Sequence, residues 1–447
     1  MQSRRWLPKF WRTAIGVTLC ASVMGIAAFP LVEPPIVPKP EPEFERIEVL
    51  SLGVIAGAGG AFQVVLPGEQ ITRVRRSNAV DPHIAQEQRE WLEKGTVPGG
   101  AKYHDMAERA LLDLHMLMQA PDALPGAIVA APTGIWQYVW PRDSSFMAVA
   151  LAQTGHIDEA EEILRFLTKM QRPDGLFEAR YLPDGSGVPD GRPLQFDGCG
   201  WVPWAVNQWF DYADTDTRNE VGREFLPMVL GCLAAIEKRI DVLTGLPDPS
   251  PDYWEVHEDE ATLGSAAALL LGMRQTTQLL LNIAPERGDD IHRARLAAAH
   301  LEFGITDKFA VQGFPRRLTA PPRDASVAFL LPPFNDYAEA AAVQAWQEAL
   351  INMRRPAGGV APGESWRNDG VSWTPQTSLA ALIAAAGGEY EEAHEWLTWI
   401  DEHRTVLGSI PEKVQSDGSP GDVAPLGWSA AVVLMALNEL DARPALP

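Results

Sequence analysis

Cysteine is scarce in this chain. Of 447 residues only Cys20, Cys199 and Cys232 carry a thiol. No Cys and His stand at metal-site spacing, so we read neither a metal site nor a cofactor requirement from the sequence. Positive charge is also short. Lys and Arg number 37 against 59 Asp and Glu, a formal charge of −22. That balance argues against a nucleic-acid partner. Tyrosine is sparse too, 7 residues against 15 tryptophans. A flat indole suits the apolar face of a sugar ring, although any single Trp is equally well explained as a large core residue.

The one long uncharged apolar run lies at the start. "MQSRRWLPKFWR" holds Arg4, Arg5, Lys9 and Arg12 and no acid, and an apolar segment from Thr13 to Phe29 follows. A basic stretch before an apolar one is the layout of an export signal. Ser3-Arg4-Arg5 partly matches a twin-arginine signal, and Pro8 breaks the match. Thr13 to Val32 is long enough to span a bilayer, so residues 1–30 read as a cleaved signal or a membrane anchor. In either case the basic side stays cytoplasmic and the rest is extracytoplasmic, secreted or anchored. Leu19 before Cys20 does not fit a lipidation site. Six prolines between Pro30 and Pro42 make residues 31–45 an extended linker.

Residues 46–100 read as an N-terminal segment packing on a larger domain. "FERIEVLSLGVIAGAGGAFQVVLP" suggests two short strands around a glycine-rich turn. From about 104 the apolar pattern is helical. Twelve stretches follow: 105–119, 143–155, 158–171, 199–211, 219–239, 262–282, 289–303, 323–331, 337–353, 374–387, 390–404 and 427–441. Asp143 is expected to cap the second, and Asp158 with Glu161 the third. "GHIDEAEEIL" (Gly155 to Leu164) is echoed by "GEYEEAHEWL" (Gly388 to Leu397). Repeated helix–loop–helix units point to stacked hairpins. Six of them close into an (α/α)6 toroid, an all-α fold over 101–447; an open helical solenoid is the alternative. Cys199 and Cys232 fall at matching distances from a turn near Asp214 to Thr217, which permits a disulfide in an antiparallel pair. Two buried core thiols are the competing reading.

Three loops place carboxylates beside aromatics or prolines: "WPRDSSF", "PDPSPDYWEVHEDE" and "GSIPEKVQSDGSPGDVAPLGWS". Arg142 and Asp143 adjoin a helix that looks buried, where an ion pair costs desolvation. Either Asp143 is a helix cap with Arg142 as its neighbour, or both face a ligand cavity. Sugar hydrolysis needs two carboxyl groups about the scissile bond. Glu255 follows Trp254, whose indole favours a neutral carboxyl, and Glu412 follows Pro411. "EVHEDE" also reads as a solvated loop, and Glu412–Lys413 as a surface pair. Glu178 in "GLFEAR" is a rival to Glu412, and spacing does not choose between them.

"GAIVAAPTGIWQYVWPRDSSFMAVALAQTGHIDEAEEILRFLTKMQRPDG", "YWEVHEDEATLGSAAALLLG" and "SIPEKVQSDGSPGDVAPLGWSAA" resemble, in that order, glycoside hydrolase family 15, the glucoamylase-like six-hairpin glycosidases. The resemblance runs from about 104 to 441. It implies an (α/α)6 barrel and an exo-acting, inverting hydrolase of α-linked glucose in an oligosaccharide or polysaccharide. It further implies Glu255 as general acid and Glu412 as general base. Arg142 and Asp143 match the pair that grips the terminal sugar, Trp140 and Trp254 match pocket walls, and Arg354 in "RRPAGG" matches a sugar-binding arginine. The chain departs from the pattern at Asp190, where an aromatic is usual before Gly-Arg-Pro, and at the tyrosine missing after Arg354. The glycan therefore stays open: a starch-type glucan, a short oligosaccharide, trehalose or another envelope glycan. Two other classes remain. One is a catalytically silent glycan-binding toroid, which keeps Arg142, Asp143 and the tryptophans without needing Glu412. The other is a lyase or epimerase using His257.

Overall fold

The computed structural model describes residues 44–57, 60–335 and 340–442. The expected signal or anchor and most of the proline linker lie outside the described residues. Among the described residues no helix is long and apolar enough to cross a membrane.

The chain from Phe44 onward is one compact unit. It opens with an antiparallel hairpin, β1 (Gly53–Ala56) and β2 (Phe62–Val65), in the register Gly53 opposite Val65. Helix α1 (Pro82–Lys94) follows. Sequence periodicity did not suggest it: only Ala85, Gln88, Trp91 and Leu92 of its residues are buried, and an isolated stripe that narrow gives a weak signal. Asp81 caps it, accepting the N–H of His83.

Among the described residues eleven further α-helices follow: α2 (Gly100–Leu117), α3 (Pro141–Gln153), α4 (Ile157–Met170), α5 (Gly198–Tyr212), α6 (Arg218–Glu237), α7 (Leu263–Ile283), α8 (Gly288–Gly304), α9 (Ala340–Met353), α10 (Thr374–Ala386), α11 (Tyr390–Glu402) and α12 (Gly427–Asp441). Between α8 and α9 a 3-10 turn spans Ala325–Leu330. The expected helix at 323–331 is thus only this tight turn, opened by Asp324 accepting the N–H of Ser326.

These elements form a double ring. α3, α5, α7, the 3-10 turn, α10 and α12 neighbour one another in that order, and α12 returns to α3. Outside them run α2, α4, α6, α8, α9 and α11, each preceding its inner partner. Burial explains the sorting. α3 is buried from Pro141 to Ala152 and α10 from Thr374 to Ala385; past polar first turns both are apolar on every side, as a buried helix must be. α11 buries only Ala393, Trp396, Leu397 and Ile400, one stripe at helical spacing. Close approach within the inner ring needs glycine: a Cβ on Gly200 in α5 would lie 2.1 Å from the Ala268 carbonyl of α7. Phe146 fills the middle, with ring centres of Trp201, Trp204, Phe334 and Trp428 at 4.9–5.8 Å.

Two local expectations are corrected. α3 starts at Pro141 after Trp140, so Asp143 lies in the first turn and is no cap; proline's fixed φ suits the first helical position. Likewise α4 starts at Ile157, with Asp158 in its first turn. Cys199 and Cys232 do come to the same height, both Sγ atoms aimed at the Gly175 carbonyl at 3.3 and 3.8 Å. They are free buried thiols, not a disulfide, and burial raises the Cys199 thiol well above its usual range.

Candidate active site

At one end of the ring the loops enclose a cavity of about 190 Å³. Arg142, Asp143, Trp140, Trp254, Glu255 and Glu412 all line it. The three loops marked in the sequence therefore meet at one place.

The floor comes from the start of α3. Pro141 at the first helical position puts Arg142 and Asp143 in the first turn, buried to 5% and 4% exposure. Arg142 Nη2 lies 3.0 Å from Asp143 Oδ2 and 3.5 Å from Glu255 Oε1, and its Nη1 donates to Gln195 at 3.3 Å. Its guanidinium carbon stands 5.0 Å from the Trp428 ring centre. Burial opposes the Arg142 charge, but Asp143, Asp197 and Glu255 reverse this and leave it more basic than usual. Burial raises Asp143 above the ordinary carboxyl range against the pull of Arg142, and pushes Asp197 up to about 6.

Glu255 sits on a tight turn. Trp254 N–H donates to Asp252 Oδ1 at 2.9 Å and Glu255 N–H to the Asp252 carbonyl at 2.8 Å. The turn leaves Glu255 at φ 56°, a left-handed conformation that costs energy in a residue with a side chain. Its second carboxyl oxygen pairs with Arg192, which also lies 3.5 Å from Asp190. The side chain is 23% exposed. Asp190, where the resemblance leads one to expect an aromatic, pairs with Arg180.

Glu412 is held differently. It precedes β4 (Lys413–Val414), which pairs with β3 (Ser372–Trp373) and β5 (Pro420–Gly421) in a small antiparallel sheet. Its N–H donates to the Val423 carbonyl at 2.8 Å, and its own carbonyl accepts from Thr374 N–H at 3.0 Å. The N-terminal segment braces this loop: Leu50 N–H donates to the Asp422 carbonyl and Asp422 N–H to that of Glu48, each at 2.8 Å. Glu412 Oε1 accepts from Trp136 Nε1 at 3.3 Å. Lys413 Nζ lies 3.2 Å from Glu412 Oε2 and 2.5 Å from Asp422 Oδ2. Burial pushes Glu412 up to about 7; Lys413 opposes this and Asp422 adds to it.

Several buried polar atoms of these lining residues have no hydrogen-bond partner. They include Asp143 Oδ2, Glu412 Oε2, Gln376 Oε1 and the indole nitrogens of Trp140, Trp254, Trp366, Trp373 and Trp428. The two short carboxylate contacts noted above, to Arg142 and Lys413, are thus charge pairings off the hydrogen-bonding direction. Buried polar groups are normally satisfied. So many orphans in one aromatic cavity suit a ligand dense in hydroxyl groups, with indole faces for its apolar sides.

Other candidates fall elsewhere. Arg354 is exposed and does not line the cavity: its guanidinium carbon lies 3.9 Å from the Trp396 ring centre, and Nη1 donates to the Gly358 carbonyl at 2.6 Å. Glu178 pairs with Arg172 at 2.5 Å and is not in the lining. His257 is exposed and contacts Asp259. The surface-pair reading of Glu412–Lys413 fails because both are buried. "EVHEDE" is mixed: Val256, His257 and Asp259 are exposed, but Glu258 is buried. Single-residue reasoning missed Trp136, Arg192, Trp366, Trp373, Gln376 and Trp428 in the lining. The excess of Trp over Tyr was the only trace of the four tryptophans, and Arg192 and Gln376 left none.

Residues 102–185 match the pattern of "Glycosyl hydrolases family 15". An uncharacterized glycosyl hydrolase of Methanocaldococcus jannaschii is 32% identical over 108 residues, 24% of this chain and 17% of that protein. A trehalase of Thermoplasma volcanium is 30% identical over 122 residues, 25% of this chain and 19% of that protein. The chain thus aligns with less than a fifth of the length of either relative. A glycosidase variant in complex with glucose superposes with a TM-score of 0.63 at 20% identity, covering 82% of this chain and 100% of that one. A bacterial glucoamylase complexed with acarbose superposes with a TM-score of 0.63 at 16% identity, covering 80% and 58%. The fold is the (α/α)6 toroid of these proteins. The family 15 pattern thus lies across the very loop and helices that carry Arg142 and Asp143, in a chain with the fold of the glucoamylase-like six-hairpin glycosidases.

Proposed function

We propose that the chain is an exo-acting, inverting hydrolase of α-linked glucosides, with Glu255 as general acid and Glu412 as general base. One observation carries the reading: two glutamates from loops far apart in sequence line a single cavity, above the buried Arg142–Asp143 pair. In this scheme Arg142 and Asp143 bind hydroxyls of the non-reducing-end sugar and fix its orientation. Glu255 gives its proton to the glycosidic oxygen as the C1–O bond breaks. Glu412 takes a proton from the water that attacks C1 from the opposite face. The electrons of the broken bond stay on the leaving oxygen, and one water is consumed. The bacterial glucoamylase and the trehalase among the similar proteins support glucan fragments and trehalose as the substrates to try first.

The test is a panel of maltose, isomaltose, longer glucans and trehalose, with the product anomer followed by NMR. Glucose released first as the β anomer is expected. The α anomer, or sugar binding with no hydrolysis of any α-glucoside, overturns the proposal. We further propose that the enzyme works outside the cytoplasm, from the basic and apolar layout of residues 1–30 and the prolines after them. Fractionation of the host checks this: full-length protein in the cytosol refutes it.

A further inference from the structure

Behind the pocket wall lies a buried charge cluster that the scheme above does not use. Arg316 is 4% exposed and is not in the cavity lining. Its Nη2 donates to Asp252 Oδ1 at 2.6 Å and its Nη1 to Glu258 Oε1 at 2.7 Å, while Nε lies 3.0 Å from Asp324 Oδ2. Its guanidinium carbon is 4.3 Å from the Trp254 ring centre. Arg317 binds the other side of Glu258 at 2.6 and 2.8 Å. Three carboxylates thus meet two cations. Burial pushes Asp324 up to about 6, opposed by Arg316.

Such a cluster is a poor way to stabilise a fold, because apolar residues of equal volume often do as well or better. Its geometry is more telling than its charge. Asp252 opens the turn that carries Glu255, and its Oδ1 takes both the Trp254 N–H and the Arg316 fork. Glu258 stands three residues past Glu255 and takes the other prong. One guanidinium therefore ties down both ends of the loop Asp252–Glu258, and Trp254 packs on its face. Between the ties Glu255 is kept at φ 56°. A strained turn of this kind persists only when its surroundings over-determine it.

We propose that Arg316 is a positioning residue that aims the Glu255 carboxyl at the glycosidic oxygen. It touches no substrate and neither gives nor takes a proton. The inference rests on the assignment of Glu255 as the acid. Arg316→Lys in the full chain tests it, since lysine keeps the charge but has no planar fork. Two substrates are compared: maltose, whose leaving sugar needs a proton, and α-glucosyl fluoride, whose leaving fluoride does not. Expected on maltose is a fall in kcat of about a hundredfold with KM within about twofold, the size of effect a small misplacement causes. On the fluoride kcat falls by less than about threefold, because proton donation is bypassed. Arg317→Gln stays within about twofold on both substrates, since Arg317 reaches only Glu258 of the loop. Equal loss on both substrates, or a raised KM at unchanged kcat, overturns the positioning role. Should Arg316→Lys fail to fold, Glu258→Gln is read by the same comparison. A wild type inert on both substrates refutes the underlying assignment instead, and so separates the two failures.

Discussion

The two glutamate loops do opposite things to their carboxyl groups. Glu255 is partly exposed, on a strained turn, with an arginine against each oxygen and a third arginine fastening the turn from behind. Glu412 is buried at the head of the central strand of a small sheet, beside a lysine shared with Asp422, and its proton affinity is pushed up to about 7. One site therefore controls direction through a fork of fixed geometry; the other controls proton affinity through burial. A proton donor must be aimed at one oxygen, whereas a base works best when its affinity lies near the ambient pH.

The sharpest way to break the comparison is Glu412→Gln. It should lower kcat by about 10³-fold or more on every substrate, because an amide cannot accept the water's proton. Sugar binding, followed by calorimetry, should persist. Glu255→Gln should lower kcat on maltose by about 10²- to 10³-fold but spare α-glucosyl fluoride in part. If both variants fail equally on the fluoride, the two loops do not divide the work in this way.

Lys413→Met sharpens the base side, with an expected loss of about tenfold near neutral pH. Lys413 favours the charged form of Glu412, so its removal should move the acid limb of the kcat/KM profile upward. In the unaltered chain that limb should inflect near pH 7, with rate rising as Glu412 ionises. Stability should run the other way. Between the usual 4.5 and about 7 the folded chain keeps a proton that the unfolded chain has lost, so stability falls as pH rises through that window. Denaturant titrations at several pH values check the sign, and Glu412→Gln should flatten the slope. The smallest expected effect is that of Arg354→Ala, within about twofold in kcat/KM, because its guanidinium rests on Trp396 away from the cavity.

The ring was legible in the sequence because inner and outer helices differ in kind. Past their first turns α3 and α10 are apolar all round, and α4 and α11 carry a stripe and share the repeated opening motif. Glu255 and Glu412 were legible only as members of an ordered set of loops, since neither has a local spacing of its own. Arg192 and Arg316 were not legible as parts of the site: their partners in the Glu255 loop, Glu255 and Asp252, lie 63 and 64 residues away, and no short window records such a pairing. Trp136 and Trp428 were visible only as part of a tryptophan excess, which does not separate core from pocket. Asp143 is no cap because Pro141, two residues earlier, already opens the helix.

One side of the inner ring is shorter than the rest. The six residues Ala325–Leu330 form a 3-10 turn where its neighbours α7 and α10 have 21 and 13 residues. At about 2.0 Å per residue the turn rises roughly 12 Å, against roughly 20 Å for a 13-residue α-helix. Aromatic bulk fills the gap. Phe329 sets its ring centre 4.8 Å from Trp201 and 5.9 Å from Tyr253, the residue next to Trp254. The toroid thus has a seam closed by side chains rather than by a full stave of backbone, and that seam lies against the Asp252–Glu258 loop. The thinnest stretch of the inner ring's backbone thus stands beside the loop that carries Glu255. Arg316, whose fork holds the Asp252–Glu258 loop, sets its Nε 3.0 Å from Asp324, the residue before the turn, and so cross-links that loop to the seam.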